Sequence, residues 1–320
     1  LKHLNSIVAQ RNPGAMMIAE ESTAWPKVTG DVDDGGLGFT YKWNMGWMHD
    51  FLEYMKCDPI FRKYHQNQIT FSFMYAYSEN YVLVLSHDEV VHLKKSMIYK
   101  MPGTMPEKFG NLRAAYGLMM MHPGKKLLFM GQDFAQTAEW NEAKSLDWHL
   151  LEKYPEHQQL NHYYCDLLHF YQNEPALYEL DDSPEGFAWI NGSDAEHNML
   201  TFCRMTKDKK NCLLCHFNFS PVAYENFQSG VLCPGTYTEV FNSNAAEYGG
   251  TGLVNPEPIE AVKESWDFKD YSIKYHLGAY GVCIFKFDYV EPKPEEPQKP
   301  ARRYTKEDIH KLAGHYKKVK

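Results

Sequence analysis

Two carboxylates stand where chemistry could be done. Glu20 follows the apolar run Met16-Met17-Ile18-Ala19, and Asp88 follows Val82-Leu83-Val84-Leu85-Ser86-His87. Such runs read as strands, so both acids fall at strand ends. A carboxyl group partly withdrawn from water favours its neutral form. It can then protonate a departing oxygen and later take a proton from water or a hydroxyl. Glycosidic bonds are broken by paired acids of this kind. Position alone serves a second role equally well, because an acid after a strand also caps the free amides of the following helix. His87-Asp88-Glu89-Val90-Val91-His92 does not suit zinc, since its histidines stand five apart where one helical face needs four. Cys212 and Cys215 have no second pair or His at ligand spacing and are expected in the core. The sequence therefore implies no metal and no cofactor.

The elements that must position these acids are legible in outline. Up to about residue 175, short apolar runs alternate with amphipathic stretches, the pattern of a parallel α/β sheet with crossover helices. Met16–Ala19, Tyr81–Leu85 and Lys126–Met130 are the expected strands. One helix carries Leu112, Ala115, Tyr116 and Met119 at spacings of three and four and stops at Pro123-Gly124. Another carries Leu160, Tyr164, Leu167, Leu168 and Tyr171 and ends at Pro175. In a (β/α) barrel the loops after the strands share one pocket, so distant acids converge there. Beyond about residue 178, short alternating runs at Met199–Arg204, Cys212–Phe217, Tyr237–Phe241 and Val282–Phe287 predict a β-sandwich. Asn242–Pro258 is expected to be a long, mobile loop. The expected division is 1–177, a parallel α/β part of barrel type; 178–290, an all-β sandwich; and 291–320, a Pro-rich charged linker with a basic tail.

The 320 residues carry a net charge of −8, which argues against a nucleic-acid partner. The last thirty residues run the other way, with nine Lys/Arg against five Asp/Glu, and read as a solvated tail. No apolar run approaches the roughly 18 residues of a membrane helix, so no membrane partner is expected. Seven Cys without a dense spacing pattern fit reduced thiols and a cytoplasmic location. The chain begins at Leu1 and reads as a piece of something longer.

Three segments together resemble glycogen branching enzymes of the alpha-amylase superfamily: Met17-Ile18-Ala19-Glu20-Glu21-Ser22-Thr23, Gly36 to Asp50, and Leu85-Ser86-His87-Asp88-Glu89-Val90-Val91-His92. The likeness continues through Lys125 to Gln136 and Ser145 to Leu151, and reaches about residue 290. It implies that residues 1–177 are the C-terminal half of a (β/α)8 barrel, and that the reaction is cleavage of an α-1,4 bond in an α-glucan and transfer of the chain to a 6-hydroxyl. Glu20 would be the general acid/base, with Glu21 the less suitable neighbour. Asp88 would grip sugar hydroxyls and help distort the ring, and His87 would donate a hydrogen bond to the same ring. Glu20 and Asp88 are thus expected a few ångströms apart around one glucose. The family's nucleophilic Asp lies in a Gly-Phe-Arg-x-Asp-Ala type motif, which no part of residues 1–320 contains. It is expected upstream of Leu1, and the chain alone is expected to be inactive and poorly stable. Leu93 stands where the family has Gly, which would be strained if the backbone there needs positive φ, and Gln132-Asp133 replaces Asn-Glu or Gln-Glu.

Tyr41, Trp43, Trp140 and Lys94 are the candidate substrate contacts, with packing or solvation as their alternative roles. Trp148 stays open between the same two roles, whereas Trp47 is expected to pack. Two further readings of the whole chain stand beside branching: a noncatalytic glucan-binding remnant and an amylase-like α-glucan hydrolase. Oligomeric state is not legible.

Overall fold

A computed structural model describes residues 1–291, so the expected linker and tail lie, except for Glu291, outside the described residues. After helix α1 (Lys2–Arg11) come the short strands β1 (Ile18–Ala19) and β2 (Tyr41–Trp43). Helices α2 (Met45–Lys56), α3 (Pro59–Arg62) and α4 (Gln66–Tyr75) lead to β3 (Tyr81–Leu85). Helices α5 (Met97–Lys100) and α6 (Met105–Met121) lead to β4 (Lys125–Leu128). The four strands form one sheet in chain order, and every neighbouring pair is parallel. All their C-terminal ends therefore lie along one edge. β1 pairs only with β2 among the described residues, and Met16 and Ile18 beside its free edge are exposed.

Local chemistry fixes where these elements start. The Asn44 side chain accepts the Trp47 amide at 2.9 Å to cap α2, and Thr104 with Glu107 forms a capping box at α6. α6 is apolar nearly all round because it is buried nearly all round, from Phe109 to Met121.

Helices α7 (His149–Lys153) and α8 (Pro155–Asn173) precede the antiparallel region. This region comprises β5 (Phe187–Asn191), β6 (Met199–Arg204), β7 (Cys212–Asn218), β8 (Tyr224–Val231), β9 (Thr236–Asn242), β10 (Ile259–Glu260), β11 (Tyr271–Leu277) and β12 (Val282–Phe287). Six strands form a sheet ordered β10-β9-β12-β7-β6-β5, and β11 pairs with β8. The central strands do not alternate between core and solvent as the sequence suggests. On β7, Leu213, Cys215 and Phe217 join the core shared with α6 and α8, while Cys212 and Leu214 join the core shared with β8 and β11. β12 divides in the same way, with Val282 and Ile284 on one side and Cys283, Phe285 and Phe287 on the other. A sheet covered on both faces has no polar face to show.

Leu1–Val290 form one compact unit, and the helices pack directly on the sandwich. Two buried arginines bond across that contact. Arg62 donates to the carbonyls of Phe219, Met55 and Cys57 at 2.6, 3.0 and 3.2 Å, and Arg204 donates to Met121 O at 2.8 Å and to Asp181 at 3.1 Å. The segment expected to be a mobile loop is irregular but tied down. Asn242, Ser243, Asn244 and Asn255 are buried, and Asn255 bonds both the Glu239 carboxylate and the His276 backbone.

Candidate active site

β3 delivers His87 and Asp88 to the C-terminal edge of the sheet on one tight turn. The Ser86 hydroxyl accepts the Asp88 amide at 3.2 Å, and the Glu89 carboxylate accepts the Ser86 amide, a capping box that closes a single 3-10 turn over His87–Glu89. Glu89 is consumed and buried by this task. His87 and Asp88 are left partly exposed, with His87 Nε2 at 3.3 Å from Asp88 Oδ1. The His87 ring stands edge-on to Trp140, with centroids 5.6 Å apart, and Phe129 packs against both. The Trp140 amide donates to Val90 O at 2.8 Å, which pins the segment after β4 to the turn after β3. Gln132 adds two longer bonds to the carbonyls of Leu85 and Ser86. Asp133 accepts from Asn161 and from the Gly131 amide at 2.9 and 3.1 Å; burial raises its pKa, and its part is structural.

Glu20 and Glu21 leave β1 with different fates. Glu21 meets Lys42 Nζ at 2.7 Å and the Thr23 amide at 2.6 Å, and these bonds, the one to Lys42 foremost, hold its carboxyl down to about 2. Lys42 is itself buried and donates to Thr23 O at 2.9 Å. Glu21 is thus a fixed anion. No side chain among the described residues bonds Glu20, which is exposed. That exposure corrects the expectation of a partly desolvated acid. The physical reason is the free edge of β1: residues 1–291 supply no wall on that side.

Glu20 and Asp88 lie beyond the ends of strands two places apart in one sheet, about 10 Å across the hydrogen-bonding direction. Trp43 follows Lys42 as Glu20 follows Ala19 in the paired register, so Trp43 and Glu20 are level where the two strands end.

The structure does not bring every candidate together. Tyr41 begins β2 and lines a cleft of about 300 Å³ with Asn80, Gly124 and Asp181, at the opposite, N-terminal ends of the strands. Lys94 is exposed and borders a separate cleft of about 600 Å³ with His49, Lys56, Lys95 and Lys100. In that cleft burial brings the Lys100 pKa down to about 8, and its ammonium donates to Lys94 O. Trp47 is buried and stacked on Phe51 at 4.7 Å, whereas Trp148 is exposed and tilted on Phe134. The residue before Lys94 carries the strain that its sequence position suggested: Leu93 has φ +68 and an exposed side chain. The role of Phe129 behind His87 had no sequence signal, since it depends on β4 lying beside β3; Gln132 stood out only as a departure from the family's pattern.

Residues 189–288 match the alpha amylase C-terminal all-beta domain. A 1,4-alpha-glucan branching enzyme of Butyrivibrio fibrisolvens is 49% identical over 91% of this chain and 46% of its own length. Another from Halothermothrix orenii is 49% identical over 89% of the chain and 45% of its own length. The chain thus spans a little under half the length of these relatives. Among solved structures, an alpha-amylase from H. orenii superposes with a TM-score of 0.57 at 15% identity, over 89% of this chain and 56% of that one. A type I pullulanase from Bacillus subtilis gives 0.61 at 12% identity, over 90% and 41%. At such identities these two speak for the fold alone. The sequence relatives carry the likeness further: over about nine-tenths of its length this chain is similar to enzymes named 1,4-alpha-glucan branching enzyme.

Proposed function

We propose that this chain is the part of a 1,4-alpha-glucan branching enzyme that carries the general acid/base and the ring-gripping pair. The 49% identity to enzymes of that name over nine-tenths of the chain carries the assignment. On this reading, residues 1–177 are the C-terminal half of a (β/α)8 barrel, 178–290 the closing sandwich, and the site opens at the C-terminal edge of the parallel sheet.

Each residue then has a physical task. Glu20, unbonded and free to turn, gives its proton to the glycosidic oxygen as the C1–O4 bond breaks. It later takes a proton from the 6-hydroxyl that attacks C1. Glu21 stays ionised on Lys42 and cannot serve as the acid, which separates the roles of two adjacent carboxylates. Asp88 and His87 bond ring hydroxyls more strongly as charge develops at C1, and Trp140 and Phe129 hold the imidazole at its angle. Trp43 offers a flat face beside Glu20. Retention of configuration requires a second carboxylate about 5–5.5 Å from the acid. We assign it to a segment outside these 320 residues, which would also wall in Glu20. An α-glucan is the substrate and the cytosol the setting; all seven cysteines are free thiols.

The assay is iodine-stained amylose, which loses colour on branching while few reducing ends appear. The 320 residues alone are expected to leave the colour unchanged. Joined to the remaining N-terminal portion of the B. fibrisolvens relative, they are expected to branch. In that chimera Glu20→Gln should cut turnover by about 10²–10⁴-fold. Robust turnover by the chain alone, or a chimera indifferent to Glu20→Gln, overturns the assignment. Colour loss matched by reducing ends would mark hydrolysis instead.

A further inference from the structure

The β-sandwich carries a cleft of about 510 Å³ that the reaction above leaves unused. His216 lines it and is 1% exposed. Its Nδ1 meets the hydroxyls of Thr201 and Tyr275 at 2.8 Å each, whereas its Nε2, buried, has no partner among the described residues. An unpaired buried nitrogen is a rare and costly feature. Burial holds this imidazole neutral, with its pKa pulled down to about 3.

The mouth of the cleft is built around an aromatic hairpin. Trp266 lines the cleft and is 46% exposed. Its backbone pairs with Lys269 through two bonds of 3.0 and 2.8 Å, around Asp267 and Phe268 at φ +50 and +58. That is a tight turn of the kind glycine favours, made here without glycine. The Asp267 carboxylate holds it by accepting Asn191 Nδ2 at 2.7 Å and the Gly230 amide at 2.9 Å. The Phe268 side chain is fully exposed at the tip. Strain retained to hold the Trp266 ring at the mouth of a cleft points to a ligand.

The lining selects the ligand class. Among the described residues no lysine or arginine borders the cleft, and Asp194 and Asp267 do, which disfavours an anion. Tyr224 and Trp266 offer ring faces, and Asn226 and Gln228 offer amides. Flat apolar faces interleaved with amide donors and acceptors match a sugar, whose two faces are apolar and whose rim is hydroxyl.

We propose that this cleft binds a neutral oligosaccharide, one ring stacked on Trp266 and its hydroxyls bonded to Asn226 and Gln228, over a floor to which the buried, neutral His216 contributes. Taking it to be an α-1,4-glucan rests on the branching assignment; the site itself does not. It would hold a glucan chain without acting on it.

The test titrates maltoheptaose into the full 320-residue chain by calorimetry, with imidazole ¹⁵N spectra recorded alongside. Trp266→Ala should weaken binding about tenfold, and Gln228→Ala about threefold, with unfolding midpoints unchanged. The His216 ring resonances should move on titration, because the ring lines the cleft. Asp88→Asn should leave this binding intact. Unchanged affinity in both Trp266→Ala and Gln228→Ala, or a still His216 resonance under saturating maltoheptaose, overturns the proposal. Equal binding of cellohexaose overturns the α-1,4 preference. The iodine assay and this titration are independent, so either reading can fail alone.

Discussion

Lowering the pH from 7 to 5 should cost this fold about 4 kcal/mol, through two histidines that lie far from the candidate active site. His122 and His216 are each about 1% exposed. His122 Nδ1 donates to Pro123 O at 2.7 Å, and its Nε2 accepts the Ser72 hydroxyl at 2.9 Å, so both ring nitrogens are occupied by the neutral form. Burial is the main cause of both depressions, with Lys126 and Arg204 adding to it at His122, and each pKa falls to about 3. The unfolded chain titrates its histidines near 6.5. Between those values the unfolded state binds more protons than the folded one, so stability falls as pH falls. Each imidazole contributes about 2 kcal/mol of loss between pH 7 and 5, out of a total stability of roughly 5–15 kcal/mol. Urea unfolding followed by tryptophan fluorescence at pH 7, 6 and 5 measures it. Glu21 and Asp181, whose pKa values are depressed, titrate out of this window, since their contribution is lost only as pH falls below about 4.5. Stability that is flat from pH 7 to 5, or a slope undiminished in His122→Gln and His216→Gln, would refute the reasoning.

Substitutions at three other positions test the packing. Leu93→Gly should raise the unfolding midpoint by up to about 2–4 °C, because Leu93 sits at φ +68 with its side chain in solvent; Leu93→Val should lower it. Gly117→Val on α6 should cost about 2 kcal/mol or more in urea unfolding, since a Cβ there would lie 2.8 Å from Val282 Cγ2 and 3.0 Å from the Tyr163 hydroxyl. Arg62→Met should cost about 3 kcal/mol, and Arg62→Lys should not restore it, because one ammonium cannot bond three carbonyls from the place of a planar guanidinium. An Arg62→Lys variant as stable as the parent in the same measurement would show that the carbonyl contacts contribute little.

How much of this was legible in the sequence depends on how far away the deciding partner lies. Tyr81–Leu85, Met199–Arg204 and Val282–Phe287 are strands where their apolar runs place them, because burial there is set by the run itself. β2 has three residues and a buried lysine, and its only reason to be extended is the pair of neighbours β1 and β3, so periodicity passes over it. β8 mixes Glu, Asn, Gln, Ser and Gly, and its pairing with β11, some forty residues later, makes it a strand. The expected acids divide along the same line. His87 and Asp88 are fixed by Ser86 and Glu89 within one turn, so their presentation follows from adjacent letters. The environment of Glu20 is set by what stands beside β1, and no pattern around residue 20 could say that this side would be open.

The division also separates the two sites. The strand-end site declares itself through contiguous residues, yet among residues 1–291 it lacks a wall. The sandwich cleft joins residues from 191 to 267, so no local spelling announces it, yet within this chain it has a lined floor and an anchored aromatic rim. The proposed binding in the cleft therefore needs nothing outside these residues, while the proposed transfer at the strand ends would need a second carboxylate from elsewhere. The 320-residue chain should accordingly bind maltoheptaose without branching amylose. Turnover without binding at Trp266 would invert that order and defeat both assignments together.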